Sequence, residues 1–223
     1  MRLINQNLSP TTTAALKFAP FAALILIYLL GSAARLAENP NDKLLPALSS
    51  IARAVDLMAF TPDRRTGDYL LWTDTWSSLK RLGAGLGIST ALALIVGICI
   101  GILPFFRAFF APFVSFVSMV PPLALLPILF ISMGLGETSK IALIVIGVAP
   151  IMIRDLAQKV LELPREQIVK AETLSASSWL IAWRIVLPQA LPRLLGSLRL
   201  QLGPAFLFLI AAEAISADSG LGY

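Results

Sequence analysis

"LGAGLGISTALALIVGICIGILPFF", residues 82–106, contains no Asp, Glu, Lys or Arg. Arg81 and Arg107 bound it, and the chain from Arg107 to Glu137 is again free of charge. A helix needs about 20 mostly apolar residues to cross the hydrocarbon core of a bilayer. Each stretch is long enough. Two such stretches in succession decide the fold class: an all-α, polytopic bundle of membrane helices.

The rest of the composition agrees. The 223 residues are 57% hydrophobic and 14% charged, against roughly 25% charged in soluble domains. Mean hydropathy is +0.81. The net charge of +5 fits the basic bias of cytoplasmic loops, and no basic surface interleaved with aromatics points to nucleic acid. There is no histidine, hence neither the commonest proton shuttle nor the commonest metal ligand. The single cysteine, Cys99, lies within an apolar run, so no disulfide framework exists. No metal site and no catalytic constellation is predicted.

Five spans are expected, within segments 1–34, 35–82 and 83–223. The first covers about Phe18 to Ala34, after Lys17. The small residues of "GSAARLA" also allow a cleaved signal peptide there, and on either reading the next loop is translocated. Residues 35–82 are more polar, with a short amphipathic helix from about Leu44 to Met58 and a turn cluster at "TPDRRTGDY". Trp72 and Trp76 beside Lys80 and Arg81 suit a membrane–water interface, or a helix end packed on its neighbours. The second span covers about Gly83 to Leu103. Its glycines at 83, 87, 97 and 101 recur at spacing four, which predicts a face packed closely on other helices. The third, Ala111 to Leu135, holds Pro121, Pro122 and Pro127. A first helix ending near Met119, a break at Pro121–Pro122 and a continuation to Met133 are expected, as a plain kink or as a bent helix lining a pathway.

The fourth span runs from Thr138 to Arg154, and its uncharged core, Ile141–Ile153, would reach only about 20 Å. The turn before it, "GLGETSK", lacks the residue order of a phosphate-binding loop. Residues 154–200 carry seven Lys/Arg and four Asp/Glu. They offer a helix over 165–182 with small or apolar Ile168, Ala171, Leu174 and Ala176. Leu187 to Pro192 is then expected to break that helix and turn the chain back to the membrane. Taken by itself the segment is either a loop lying on the membrane or a knob for another protein. The fifth span, Leu200 to Ala217, contains Glu213, an intramembrane charge that normally faces a cavity or a partner. It would face a substrate, Arg199 or another basic group, or else sit solvated near the outer interface. With alternating spans, Lys and Arg number ten on the side of residues 154–200 and eight opposite, which places that segment and the N-terminus in the cytoplasm.

From Leu70 onward the order of motifs is specific. "KAETLSASSWLIAWRIVLPQALP" is followed by "SLRLQLG", "AAE" and "SGLGY", and preceded by "SLKRLGAGLGIST" and "VPPLALLPILFISMGLGETSK". This order resembles the permease subunits of bacterial binding-protein-dependent ABC importers, in the branch handling taurine, sulfonates, nitrate and related solutes. The likeness is to their cytoplasmic EAA loop. Ala171, Leu174, Ala176 and Ser177 match its first half, and Leu187, Pro188, Ala190 and Pro192 its second. Two positions depart: the acidic-alanine-alanine triplet falls on Val169, Lys170 and Ala171, and the usual glycine on Ser175. Relatives of this kind usually continue past "GLGY" into a sixth helix.

The resemblance implies a fold and a role. The type I importer permease fold would pair two such chains in the bacterial inner membrane. Each would dock one ATPase subunit through a coupling helix near Lys170, Ala171, Glu172, Leu174 and Ser175. An extracytoplasmic binding protein would deliver a small solute: taurine or another sulfonate, nitrate, or a urea- or guanidine-like compound. This chain would bind no cofactor; the partner ATPase would use ATP-Mg. Glu213, Pro121 and Pro122 would belong to the pathway or its gate. The rival readings are an ion-coupled carrier, which needs repeated halves and several buried charges, and a membrane enzyme, which needs a polar cluster at one interface.

Overall fold

The computed structural model describes residues 9–40, 42–63, 67–216 and 219–223. They form two compact units, one up to Leu70 and one from Leu71. In the first, α1 (Pro10–Glu38) starts on a Ser9 cap whose hydroxyl accepts the Thr12 N–H, with Pro10 at its first turn. It contains the predicted Phe18–Ala34 span and is long and apolar enough to cross a membrane. The chain then folds back on the end of α1: Tyr28 donates to the Pro46 carbonyl at 2.6 Å and Ser32 to that of Leu45 at 3.0 Å. Arg35 pairs with Asp42. The amphipathic helix expected from Leu44 begins later, as α2 (Leu48–Phe60), because Pro46 disfavours helical geometry in the residue before it.

The second unit is built on α3 (Leu70–Ile102), α6 (Glu137–Leu161) and α9 (Leu187–Ser216). Between them lie α4 (Pro104–Val117), a 3-10 turn (Pro122–Leu125), α5 (Leu126–Met133), α7 (Arg165–Thr173), α8 (Ser178–Ile181) and a π-helical turn (Ala182–Val186). The central helix is α6: Leu143, Ile144, Val148, Met152 and Leu156 are fully buried. Small Ala190, Ala205 and Ala212 on α9 are buried as well, which lets backbones approach where packing rather than water expulsion holds helices together.

Three glycines fix how α3 meets α6. A Cβ on Gly85 would lie 2.7 Å from Ile144, one on Gly97 3.1 Å from Leu156, and one on Gly101 2.4 Å from Val160. The numbering advances equally on both helices, so α3 and α6 run parallel. Half of the glycine face read from spacing four is corrected here. Gly97 and Gly101 are packed, whereas Gly83 and Gly87 face open space. The buried stripe follows Ser78, Leu82, Gly85, Ser89 and Ala93, and residues 83 and 87 fall on the other side of the helix.

Because α3 and α6 are parallel, the chain must return the whole thickness of the bundle between Ile102 and Glu137. The pair α4 and α5, bent by 83°, is the only helical segment available for that crossing. The break sits at Ser118–Pro121, as the prolines require, and Arg154 donates to Ser118 Oγ there at 2.8 Å. Three of the predicted spans are longer than read. α3 begins at Leu70 instead of Gly83, α6 runs on to Leu161, and the last crossing covers Ser178–Ile215. Pro188 and Pro192 do not break the chain as expected. The π turn, in which the Leu187 N–H reaches back to the Ala182 carbonyl, takes up the register. Pro188 then sits at the start of α9, where a missing N–H costs little.

Ionic layers mark both ends of the bundle. At one end Arg193 Nε donates to Asp155 at 2.9 and 3.0 Å. At the other, Arg81 joins Glu137 and Glu213. From Asp155 to Glu137 along α6, and from Arg193 to Glu213 along α9, the rise is about 27–30 Å, the thickness of a hydrocarbon core.

Candidate functional site

The Arg81 end holds a buried polar cluster. Arg81 is 4% and Glu213 1% exposed. Arg81 Nη1 donates to Glu213 Oε1 at 2.6 Å, while Nε and Nη2 grip Glu137 Oε2 and Oε1 at 2.6 and 2.7 Å. The remaining donors meet Ser219, the carbonyl at 2.7 Å and Oγ at 3.1 Å. Ser78 Oγ donates to both oxygens of Glu213, 2.9 Å each, and accepts the Leu221 N–H at 2.9 Å. The Gly222 N–H reaches Glu213 Oε2 at 3.1 Å, and the Gly220 N–H reaches Asp74 at 2.8 Å. A buried charge left without such partners costs several kcal/mol. Here the guanidinium fork is filled on every side, and the cluster ties α3, α6 and α9 to the segment Ser219–Tyr223.

"GLG" acquires a reason from this geometry. Gly220 adopts φ +127, and a Cβ there would lie 2.5 Å from the Glu213 carboxyl; one on Gly222 would lie 2.5 Å from the Ile210 carbonyl. Only glycine lets this backbone close over the carboxylate. Glu213 thus pairs with Arg81 rather than with Arg199, and although it lies at one end of the bundle it is buried there rather than solvated. Sequence marks Arg81 only as an interfacial charge bounding a span and does not mark Asp74 or Ser78, although all three share one face of α3 at spacings of four and three.

The opposite end carries the loop. α7 closes in a Schellman motif: the Ala176 N–H bonds the Ala171 carbonyl at 3.0 Å, and the Ser175 N–H that of Glu172 at 2.9 Å. This puts Ser175 in the left-handed region, φ 60, the one described non-glycine residue there. The position normally belongs to glycine. Ala171 is buried and Ala176 packs on the core. Lys170, Glu172 and Ser175 are exposed. Leu174, at the tip, is 83% exposed, and Val169 53%. Ser177 caps α8 by accepting the Leu180 N–H at 3.3 Å. Gln189 Nε2 donates to Gln167 Oε1 at 2.9 Å, fastening α7 to the start of α9, where Leu187 is half-buried and Pro188 and Pro192 exposed. Pro121 and Pro122 lie apart from both clusters, at the α4–α5 break; Pro122 and Phe208 press on Gly147.

A family model described as "Binding-protein-dependent transport system inner membrane component" matches residues 84–223. This chain belongs to that family. The taurine transport system permease protein TauC of Escherichia coli (strain K12) is 39% identical over 157 residues, 70% of this chain and 57% of that protein. The bicarbonate transport system permease protein CmpB of Synechococcus elongatus (strain ATCC 33912 / PCC 7942 / FACHB-805) is 32% identical over 163 residues, 72% of this chain and 58% of the relative. In both, the matched part is less than two thirds of the relative's own length. Among solved structures, a chain of the inward-facing MetNI methionine ABC transporter superimposes with a TM-score of 0.60 at 22% identity, over 72% of this chain and 80% of that one. At that identity the likeness is one of fold. The α7 loop and, of the cluster, Glu137, Glu213 and Ser219–Gly222 fall within the 84–223 family match, whereas Asp74, Ser78 and Arg81 lie just upstream of it.

Proposed function

We propose that this chain is the membrane-spanning permease subunit of an ATP-driven importer for a small solute bearing an oxyanionic group. The observation that carries the reading is the α7 loop. A short helix, rigidly closed and tied to α9, holds the bare apolar tip of Leu174 and Val169 beside charged Lys170 and Glu172. Exposed apolar groups rimmed by charge mark protein contact sites. In this reading the loop is cytoplasmic, the N-terminus lies on the same side, and the tip enters a groove on a separate ATPase subunit. Two permease chains pair, each docks one ATPase, and a binding protein delivers solute to the Arg81 face. Closure of the ATPases drives the two loops together and reorients the helices. The Arg81–Glu213 cluster holds the delivery face of the bundle, giving Glu213 a combined structural and gating role. The α4–α5 break at Pro121–Pro122 borders the pathway. Taurine and bicarbonate, named for the two relatives, both carry oxyanions, which supports that solute class.

The test is reconstitution. The permease is co-expressed with the ATPase and binding protein encoded beside it, purified, and placed in liposomes containing ATP. Solute uptake that needs all three components is the expected result. A permease that retains no ATPase subunit, or uptake driven by an ion gradient without ATP, would overturn the proposal.

A further inference from the structure

We infer that the groove between α3 and α9 takes a small oxyanion and that Arg199 is the cation selecting it; this rests on the permease reading above. The groove has a volume of about 660 Å³, lined by Gly83, Gly87, Thr90 and Ala91 of α3 and by Leu198 and Arg199 of α9. Nothing lies within 4 Å of where a Cβ on Gly83 or Gly87 would be, so this wall is open, in contrast to the packed glycines at 85, 97 and 101.

Arg199 is the feature that makes the groove a site. It lies along α9 about 9 Å from Arg193 and about 21 Å from Glu213, well inside the two ionic layers. Arg81 and Arg193 each have carboxylate partners; among the described residues no carboxylate pairs with Arg199. An arginine at that depth is costly, and intramembrane charges mark substrate pathways. The remaining walls are apolar apart from Thr90, whose hydroxyl donates to the Leu86 carbonyl at 2.7 Å. Arg199 is exposed along this open groove, so an incoming oxyanion meets an unpaired guanidinium flanked by apolar walls. Its planar fork matches the paired oxygens of a sulfonate, carboxylate or bicarbonate. Cations are repelled, and neutral solutes gain nothing from it.

Charge-selective thiol labelling tests this without assuming the solute. The assembled permease–ATPase complex in nanodiscs carries Cys99→Ser and Thr90→Cys. It is treated with ethylsulfonate methanethiosulfonate, an anion, or with its trimethylammonium counterpart. The anion-to-cation rate ratio should fall about tenfold on adding Arg199→Gln, the scale of one unit charge acting nearby in a partly dry groove. Arg199→Lys should restore most of it. A ratio indifferent to residue 199 overturns the inference. So does a Thr90→Cys that reacts with neither reagent, or that forms a disulfide with a second copy, because the groove is then covered. If labelling ignores Arg199 while the complex still couples uptake to ATP, this inference alone fails; if no ATPase stays bound, the permease reading beneath it fails.

Discussion

Ser175 occupies a position where a Schellman cap normally has glycine, and the structure gives that choice a measurable cost. The residue closes a Schellman cap at φ 60. For a residue with a Cβ the left-handed region costs about 1–2 kcal/mol. Glycine removes that cost but loses about 0.5–1 kcal/mol more backbone entropy on ordering. Ser175→Gly should therefore stabilise the cap by about 1 kcal/mol, or about fivefold in its opening equilibrium. The Ala176 amide, bonded to the Ala171 carbonyl, reports that opening. Its hydrogen exchange, followed by mass spectrometry on overlapping peptides, should slow by about that factor, whereas Ser175→Val, with a branched Cβ, should speed it. Exchange unchanged in Ser175→Gly, or slower in Ser175→Val, would refute the argument from backbone strain. A tighter cap should also present Leu174 more rigidly, so the glycine variant should raise solute-stimulated ATP hydrolysis in the assembled transporter.

Other perturbations separate packing from charge. Glu213→Ala strands Ser78 and the Gly222 N–H and removes one partner of Arg81, a loss of about 3–5 kcal/mol visible in thermal unfolding. Glu213→Gln keeps the shape, so the complex should assemble yet lose transport; unchanged uptake would remove Glu213 from the mechanism. Gly101→Leu drives a side chain into Val160, already 2.4 Å from a bare Cβ, and should destabilise the α3–α6 contact by about 1–3 kcal/mol or more. In the first unit, the Leu44 N–H and then Arg35 hold the Asp42 carboxyl below its usual range. Its contribution is present above that range and lost as pH falls through the lowered value. Arg35→Gln should move its titration, followed by NMR, back upward.

Much of this architecture is legible in the sequence, for identifiable reasons. Uncharged stretches between Arg81, Arg107 and Glu137 reveal helices because lipid tolerates few charges. The prolines at 121 and 122 reveal the α4–α5 break because they lack donors. Helix ends are less legible: Leu70–Leu82 reads as an interfacial segment or a packed helix end outside the second span, since its Asp74 and Arg81 count against a span until their partners are known. The Glu213 cluster stays hidden because its members lie far apart in sequence, and the meeting of Arg81 with Glu213 depends on α9 running antiparallel to α3. Pro188 misleads because the π turn that leads into it has no residue signature, and Pro192 because it sits inside α9 without ending it. Ser175 stands out by its departure from glycine, and only its φ explains why glycine is usual there.

The central claim is that the α7 loop docks an ATPase. Leu174, the exposed tip, tests it most directly. A Leu174→Cys variant in a Cys99→Ser background is co-purified with the neighbouring ATPase carrying single cysteines along its surface groove, and oxidised. The account predicts one intense permease–ATPase disulfide at a groove position, changing in yield when ATP is added. Co-purification with no disulfide at any groove position, or equal yield from a cysteine placed at exposed Trp72 on the opposite end, would contradict it.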